Sequence, residues 1–385
     1  MMIPTIEQWY LIFEHMINKN IDWYFKKIGE YKSGRPKLAV DYDKLVQTEF
    51  NFFLIITERE TRVKTYGAKQ LAFKDWKESQ QLNTLWLRTK VDDIRPEELL
   101  FWKDVPDEIA REGFRFESHI AYNSVGVPFM KMSPVAVSSN RGSRALVKYI
   151  FYDEFNIGVD AKNWKAIQPN FEDILRSVSN TKTARELRVF LLGNNKSFNN
   201  PLLVNLGINS IEEEVSCIYT TEGKPLILIL FPIIDENEKK DIEDDNADNP
   251  IFQFMKVSGG AAHAYFNESQ YDGVNGIVKR VDEFNKLYKH HHNLFRTDNE
   301  ILAMCNLPKN YDNEGYEYHI FCLDLLKPRG LDEVKKLGLF SPNKTLEPND
   351  KYLPKEMKEN LLKCLSLDQI SFEDIHTKNM FYKLL

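Results

Sequence analysis

The segment Lys148-Tyr149-Ile150-Phe151-Tyr152-Asp153-Glu154-Phe155 constrains this chain more than any other. An apolar, aromatic-rich run leads directly into two adjacent carboxylates and a further aromatic. A short continuous apolar run of this kind reads as a strand covered on both faces. Carboxylates at the end of a buried strand are costly unless a cation or hydrogen bonds satisfy them. The segment is therefore either a core strand followed by a solvated turn and a helix start, or one wall of a cation-holding site.

The chain has 385 residues, too many for one ordinary core, so two or three domains are expected. With 43% hydrophobic and 12% aromatic residues it can fill those cores. A formal charge of −6 argues against a protein that coats nucleic acid over its whole surface, but leaves room for local basic patches. Cys217, Cys305, Cys322 and Cys364 are scattered, without a CxxC pair, and read as thiols in a reducing compartment. The N-terminal residues lack the basic and apolar regions of a signal peptide, so secretion is not expected. No run of about 18 apolar residues predicts a membrane span.

Residues 5–31 place Ile6, Trp9, Tyr10, Ile12, Phe13 and Met16 at helical spacing, which predicts a helical extension over residues 1–45. Residues 31–37 form a turn. Strands are expected at 49–56, 82–88, 116–122, 127–132, 147–152, 187–192 and 225–231, and helices at 64–77, 106–112 and 169–179. Short apolar strands alternating with helices give an α/β domain over 46–234, with a mostly parallel sheet and helices on both faces. The charge run 235–249 reads as a solvated linker or mobile helix, continued by helix over 251–285. A small α+β domain is expected over 286–385, with strands near 300–305 and 316–323 and helices near 331–337 and 354–364.

The first strand, a polar loop and a helix beginning Lys64-Thr65-Tyr66-Gly67 occupy the place of the phosphate loop in a P-loop NTPase. There the lysine reaches the β- and γ-phosphates and the hydroxyl binds Mg²⁺. Both signature glycines are missing, with Glu58 and Val63 in their places. Glycine serves there for positive φ and close backbone approach. The order of the other elements favours an NTPase. Asp153 and Glu154 end a later strand, as the acids that hold Mg²⁺ and polarise the attacking water do in that class. The next buried strand ends in Gly193-Asn194, where a polar residue can sense the γ-phosphate; an ordinary strand-end turn is the other reading of Asn194.

Residues 147–158 resemble the Walker B strand of the DNA encapsidation (genome packaging) ATPases of small podoviruses, the Picovirinae-type, terminase-like motors. Residues 187–207, Leu-Arg-Val-Phe-Leu-Leu-Gly-Asn-Asn-Lys-Ser-Phe-Asn-Asn-Pro-Leu-Leu-Val-Asn-Leu-Gly, look like that family's strand, sensor Asn and following helix. Residues 50–91 are similar in layout. The similarity covers about 50–275. It implies an ASCE-type P-loop ATPase domain, a helical linker over 235–285 and a C-terminal domain resembling a vestigial, RNase H-like nuclease without its metal-binding acids. It implies ATP and Mg²⁺ as cofactors, hydrolysis coupled to translocation of double-stranded DNA, and a homo-oligomeric ring, a pentamer, on the portal of an empty capsid. Such a motor works in the host cytoplasm at the portal vertex, away from membranes, and motors of this kind can carry a packaging RNA there.

Carried onto this chain, the resemblance gives Asp153 and Thr65 to the metal, Glu154 to water activation, and Lys64 to the phosphates. Asn194 becomes the sensor. Arg88 and Lys90 fall where the family keeps basic residues near the nucleotide or the DNA, or else form a solvated strand end. Family arginine fingers lie between the helix after the acids and the sensor strand. That points to Arg185, with Arg188 second; a solvated surface arginine is the bland alternative. Lys131, Arg141, Arg144 and Lys148 could contact DNA phosphates or be ordinary surface cations. His290, His291 and His292 alternate faces if on a strand, so a surface patch flanked by Lys286, Lys289 and Arg296 is favoured over a metal site. The rival to a motor is a non-hydrolysing nucleotide-binding or DNA-gripping ring subunit, for which the glycine-free loop speaks. A helicase-like ATPase is the other.

Overall fold

The computed structural model describes residues 17–57, 64–103, 105–136, 147–155, 161–179, 186–194, 200–206, 208, 211, 213–233, 235–245, 247–248, 292–297, 300–307, 316–323, 339–341, 350–366, 369–382 and 384. The chain divides into two compact units, the first comprising residues 1–158, 169–196 and 213–271, the second residues 159–168, 197–212 and 272–385.

The first unit is built on a nine-stranded sheet. Its strands are β3 (Phe52–Thr57), β4 (Thr84–Arg88), β5 (Arg115–Glu117), β6 (Ile120–Tyr122), β7 (Pro128–Pro134), β8 (Tyr149–Asp153), β9 (Arg188–Asn194), β10 (Val215–Tyr219) and β11 (Pro225–Leu230). The spatial order is β10-β11-β3-β9-β8-β4-β7-β6-β5. From β11 to β7 every neighbouring pair is parallel, while β10, β6 and β5 add antiparallel margins. The central strands are apolar on both faces, as parallel strands covered by helices must be: every residue of β8 is buried.

Rings fix the register of these strands. Phe53 stacks on Phe190 at 4.7 Å, Phe190 on Phe151 at 5.0 Å, and Trp86 lies 5.1 Å from Phe151. Each pair sits directly opposite across its strand boundary. Cross-strand aromatic pairs stabilise a sheet, and a one-residue slip would send each ring to the other face.

The principal helices are α1 (Lys64–Ser79), α2 (Ile94–Leu100), α3 (Ala161–Ser179), α4 (Glu236–Asp245), α5 (Lys355–Ser366) and α6 (Ile375–Tyr382). Helix α2, strand β10 and the splitting of 116–122 into two strands were not expected. The split is made by Ser118 and His119, both left-handed at φ 49° and 66°, the conformation of a tight hairpin turn.

The helical extension expected over 1–45 is corrected where it is described. Ile21–Tyr24 is a single 3-10 turn, and β1 (Phe25–Glu30) pairs antiparallel with β2 (Pro36–Val40). The apolar spacing that suggests a helix stops at this point, and Gly34, at φ 85°, closes the hairpin. Tyr24, Phe25, Val40, Tyr42 and Leu45 enter the same core as the sheet's aromatic row. Residues 1–16 lie outside the described residues. The charge run is not a free linker at its start: α4 is pinned to the hairpin by ion pairs. The helix expected over 251–285 lies outside the described residues.

The second unit holds a six-stranded sheet of β12 (His292–Arg296), β13 (Ile301–Asn306), β14 (Tyr318–Cys322), β15 (Leu339–Ser341), β16 (Asp350–Tyr352) and β17 (Ile370–Phe372), in the order β16-β15-β12-β13-β14-β17. The strands β12 to β14 form an antiparallel meander, and β15 and β16 continue the sheet in parallel beside β12. Phe295, Ile320, Phe372 and Phe381 fill its core. Among the described residues no group of three or more His, Cys, Asp or Glu is placed to hold a metal ion. Asp324, His290, His291 and the helix expected at 331–337 lie outside the described residues. All four cysteines are free thiols, and no helix among the described residues is long and apolar enough to cross a membrane.

Gly67 marks a close approach of α1 to the N-terminal segment. A Cβ there would lie 2.8 Å from the Val40 carbonyl oxygen and 2.9 Å from the Tyr42 ring. Alanine is the better helix former by about 1 kcal/mol, but an overpacked contact against backbone costs about 1–3 kcal/mol. Gly67→Ala is expected to lower the midpoint of denaturant unfolding. A raised midpoint would show that β2 and α1 are not packed this closely.

Candidate nucleotide-binding site

Four described side chains carry the candidate chemistry at the C-terminal ends of adjacent parallel strands. That edge is where open α/β sheets bind ligands. β9 lies between β3 and β8, and the register sets Thr57 beside Asn194 and Asp153 beside Leu192. Helix α1 begins seven residues after Thr57 in sequence, with Lys64 as its first residue. Its first turn carries no acid, and a helix N-terminus favours an anion.

The Lys64 ammonium donates to Thr57 Oγ1 at 2.8 Å and to Asn194 Oδ1 at 2.9 Å. Its side chain is buried, and burial lowers its pKa to about 8 against the opposing pull of Asp153 and Glu154. Lys64 and Asn194, expected on separate elements, are thus in direct contact. Thr65 follows at the second position of α1, half-buried. Residues 58–63, which include Glu58 and Val63, lie outside the described residues.

Asp153 ends β8 with 5% of its surface exposed. Burial raises its pKa to about 6, with help from Glu97 and Glu154 and against Arg88 and Lys64. Glu154 differs sharply from its neighbour. Its backbone turns left-handed at φ 50°, its amide donates to Asp153 Oδ1 at 3.1 Å, and its side chain is 37% exposed. A non-glycine residue held there is strained by roughly 1–3 kcal/mol, a cost found mostly at functional positions. The turn separates the two carboxylates into a buried one and an accessible one.

Arg88, at the end of β4, bridges them. Its Nη1 lies 3.3 Å from Asp153 Oδ2 and 3.7 Å from Glu97 Oε2, and its Nη2 lies 2.5 Å from Glu154 Oε2. Burial works against its charge, but Asp153, Glu154, Glu97 and Asp93 outweigh burial and raise its pKa. Thr57 and Glu97 are site residues the sequence reading missed. Thr57 could have been found as the last residue of the apolar run; Glu97 sits on a helix with no local signal linking it to Arg88.

The remaining expectations separate by position. Arg188 begins β9, at the opposite end from Asn194, roughly 20 Å away at about 3.3 Å per residue. Its Nη1 donates to the Leu187 carbonyl at 3.4 Å. It therefore does not join Asn194 within one subunit. Arg185, Arg141 and Arg144 lie outside the described residues. Lys148 pairs with Asp75, which also accepts from Asn83, so it braces the other end of the sheet. Lys131 lies within β7, and Lys90 caps a turn by its amide, donating to Asp93 Oδ2 at 3.2 Å.

A metal would find hard oxygen donors here. Asp153 is a carboxylate whose proton affinity is raised by its burial, more than Arg88 and Lys64 offset. The Asp153 carboxylate and the Thr65 hydroxyl are of the type Mg²⁺ accepts alongside phosphate oxygens.

No family model matches the chain, and no curated protein matches it. Among solved structures it is similar to the bacteriophage Phi-29 viral genome packaging motor assembly, at 15% identity over 89% of this chain and 97% of that one, with a TM-score of 0.50. The Phi-28 gp11 DNA packaging motor aligns at 16% identity over 89% and 95%, with a TM-score of 0.49. The large terminase of a thermophilic bacteriophage aligns at 10% identity over 85% and 83%, with a TM-score of 0.35. At these identities the first likeness shows a shared fold.

The Asp153 shift has a definite sign. A folded pKa of about 6 lies above the unfolded value of 3.8, so the buried carboxyl favours folding while protonated, and that contribution fades as pH rises through about 6. Asp153→Asn is therefore expected to gain stability relative to wild type as pH rises from about 4 to above 6, in metal-free buffer. Urea midpoints of the two proteins that move in parallel over this range would show that Asp153 is solvated.

Proposed function

We propose that the chain is the ATPase subunit of a viral genome packaging motor, driving double-stranded DNA through the portal into an empty capsid. One observation carries the reading: Lys64 and Asn194 meet at the strand ends beside Asp153 and Glu154, within a fold shared with the Phi-29 packaging motor. The motor would be a homo-oligomeric ring, a pentamer by the family resemblance, working at the portal vertex in the host cytoplasm, with a packaging RNA as a further partner.

In this reading Lys64 exchanges its bonds to Thr57 and Asn194 for phosphate oxygens of ATP. Asp153 and Thr65 hold Mg²⁺, which supplies positive charge to the β- and γ-phosphates when bound. Asn194, released from Lys64, is free to report the γ-phosphate. Glu154, the accessible acid, orients and polarises the attacking water, and its strained backbone keeps it out of the sheet. Arg88 must give up Glu154 for that to happen. Arg185 is assigned by the family resemblance to the neighbouring subunit's nucleotide, as a finger acting in trans.

The second reading, a non-hydrolysing ring subunit, is favoured by the Arg88–Glu154 ion pair at 2.5 Å, which occupies the carboxylate that hydrolysis needs. Glu154→Gln separates the two. The amide keeps shape and hydrogen bonds but cannot act as a base, so ATP should bind and turnover should vanish. Wild-type-like turnover in the variant, or none in the wild type, would exclude the assignment.

Arg185→Ala should bind ATP normally and hydrolyse it more slowly, by up to roughly 10³–10⁵ for fingers of this kind. Mixing Arg185→Ala with Glu154→Gln subunits should restore part of the activity, since an intact Glu154 site can then face an intact Arg185. No recovery in rings shown to exchange subunits would place Arg185 in its own subunit's site or in the fold alone.

A further inference from the structure

In the second unit an open cleft of about 440 Å³ lies between the sheet and helix α5. Cross-strand pairs form one side of it. Asn293 stands opposite Met304 across β12 and β13, and Asn306 opposite Tyr318 across β13 and β14. Helix α5 forms the other side, with Met357, Asn360, Leu361 and Cys364. Met304 and Leu361 are buried members of the core, and Tyr318, Met357 and Cys364 pack half-buried against it. Asn306 and Asn360 are exposed.

The lining selects for one kind of ligand. The side chains of Asn293, Asn306 and Asn360 and the Tyr318 hydroxyl make no hydrogen bond among the described residues. Each carboxamide therefore offers both a donor and an acceptor to an incoming group. Between them lie thioether, aromatic and aliphatic surfaces, from Met304, Met357, Tyr318 and Leu361, which suit the face of a flat ring. Among the described residues no Lys, Arg or His lines the cleft, and its one charged group is Glu356, in the first turn of α5. That carboxylate already stands where the helix end would favour an anion, so a phosphate or carboxylate ligand is disfavoured. A peptide strand has no place here either. β12, β13 and β14 are interior strands, each paired on both sides, and leave no backbone edge to extend. The ligand that fits is a flat, uncharged ring with donors and acceptors along its edge, in a cleft of the size that small molecules occupy.

We propose that this cleft binds an uncharged adenine ring, hydrogen-bonded by the carboxamides of Asn293, Asn306 and Asn360 and packed against Tyr318 and Met357. Adenine is the base whose amino group and ring nitrogen match a single carboxamide through two bonds. The ring is supplied by a free nucleoside or by an unpaired base in a strand. The inference stands on the second unit alone and does not rest on the packaging reading.

The test uses the full chain, with Cys364 as the reporter. Burial and Glu317 hold its thiol pKa above the usual value, so alkylation by iodoacetamide is run at mildly alkaline pH and followed at each cysteine by mass spectrometry. Cys217 and Cys322, half-buried and outside the cleft, are internal references. Adenosine should slow alkylation of Cys364 saturably, with a Kd on the order of 0.1 mM for a neutral ligand of its size, and leave the references unchanged. Inosine, in which a carbonyl replaces the amino group, should bind at least roughly fivefold more weakly. Asn306→Ala/Asn360→Ala should raise the adenosine concentration needed roughly tenfold, with the unfolding midpoint and the unliganded alkylation rate unchanged. A single-stranded oligo(dA) names the source. Protection at a lower base concentration that weakens with salt marks a strand, and equal protection per base marks the free nucleoside. Protection by neither adenosine nor oligo(dA), equal protection by inosine, or protection that survives the double substitution overturns the proposal. If the variant does not fold, the inosine comparison on the wild type decides alone. ATP turnover is read in parallel, because the nucleotide site lies in the first unit. Turnover without protection of Cys364 overturns this inference and leaves the packaging reading standing.

Discussion

The row of packed rings Phe53, Phe190, Phe151 and Trp86 is the constraint on which the rest of the first unit depends. It runs across β3, β9, β8 and β4, and Tyr42 closes over it at 5.1 Å from Phe190 and 6.0 Å from Phe151. Each ring locks the strand that carries it against its neighbours. Because side chains alternate, the same lock decides which residues emerge at the strand ends. Thr57, Asn194, Asp153 and Arg88 are brought to one edge because four aromatic residues upstream of them are in register.

At that edge the fold gathers charges that burial alone would disfavour. Burial pushes the Lys64 pKa down and the Asp153 pKa up, and each partly offsets the other's shift. Arg88 adds the positive charge that lets two neighbouring carboxylates coexist. Such opposed shifts within a few residues cluster at functional sites, though structural ion-pair networks also produce them. The left-handed backbone at Glu154 parts the two carboxylates, leaving one buried and the other accessible.

Much of this was legible in the sequence, for a physical reason. Strands covered on both faces are continuous apolar runs, so 49–56, 147–152 and 187–192 stood out, and so did Asp153 and Asn194 beyond the second and third; Thr57, beyond the first, did not. The hairpin at 25–40 was not legible as strands. The helical spacing of Ile6 to Met16 was carried on through Tyr24 and Phe25, where it stops, and only the partner strand reveals the pairing. β10 was missed because a short marginal strand, half-buried along most of its length, carries a weaker signal. The acidic run looked like a solvated linker because its partners, Lys32, Arg35 and Lys37, lie about two hundred residues earlier in the chain. Glu97 was missed for the same reason on a smaller scale, since its link to Arg88 exists only in three dimensions.

The central claim is that the C-terminal ends of β3, β9 and β8 form one nucleotide site, with Lys64 as the group that changes partners. Its most direct test is an experimental structure of the protein with a non-hydrolysable ATP analogue and Mg²⁺. The account predicts the triphosphate at the N-terminus of α1, Lys64 moved from Thr57 and Asn194 onto phosphate oxygens, the metal beside Asp153 and Thr65, and Arg88 parted from Glu154. An analogue bound elsewhere, with Lys64 still bonded to Thr57 and Asn194, would contradict it.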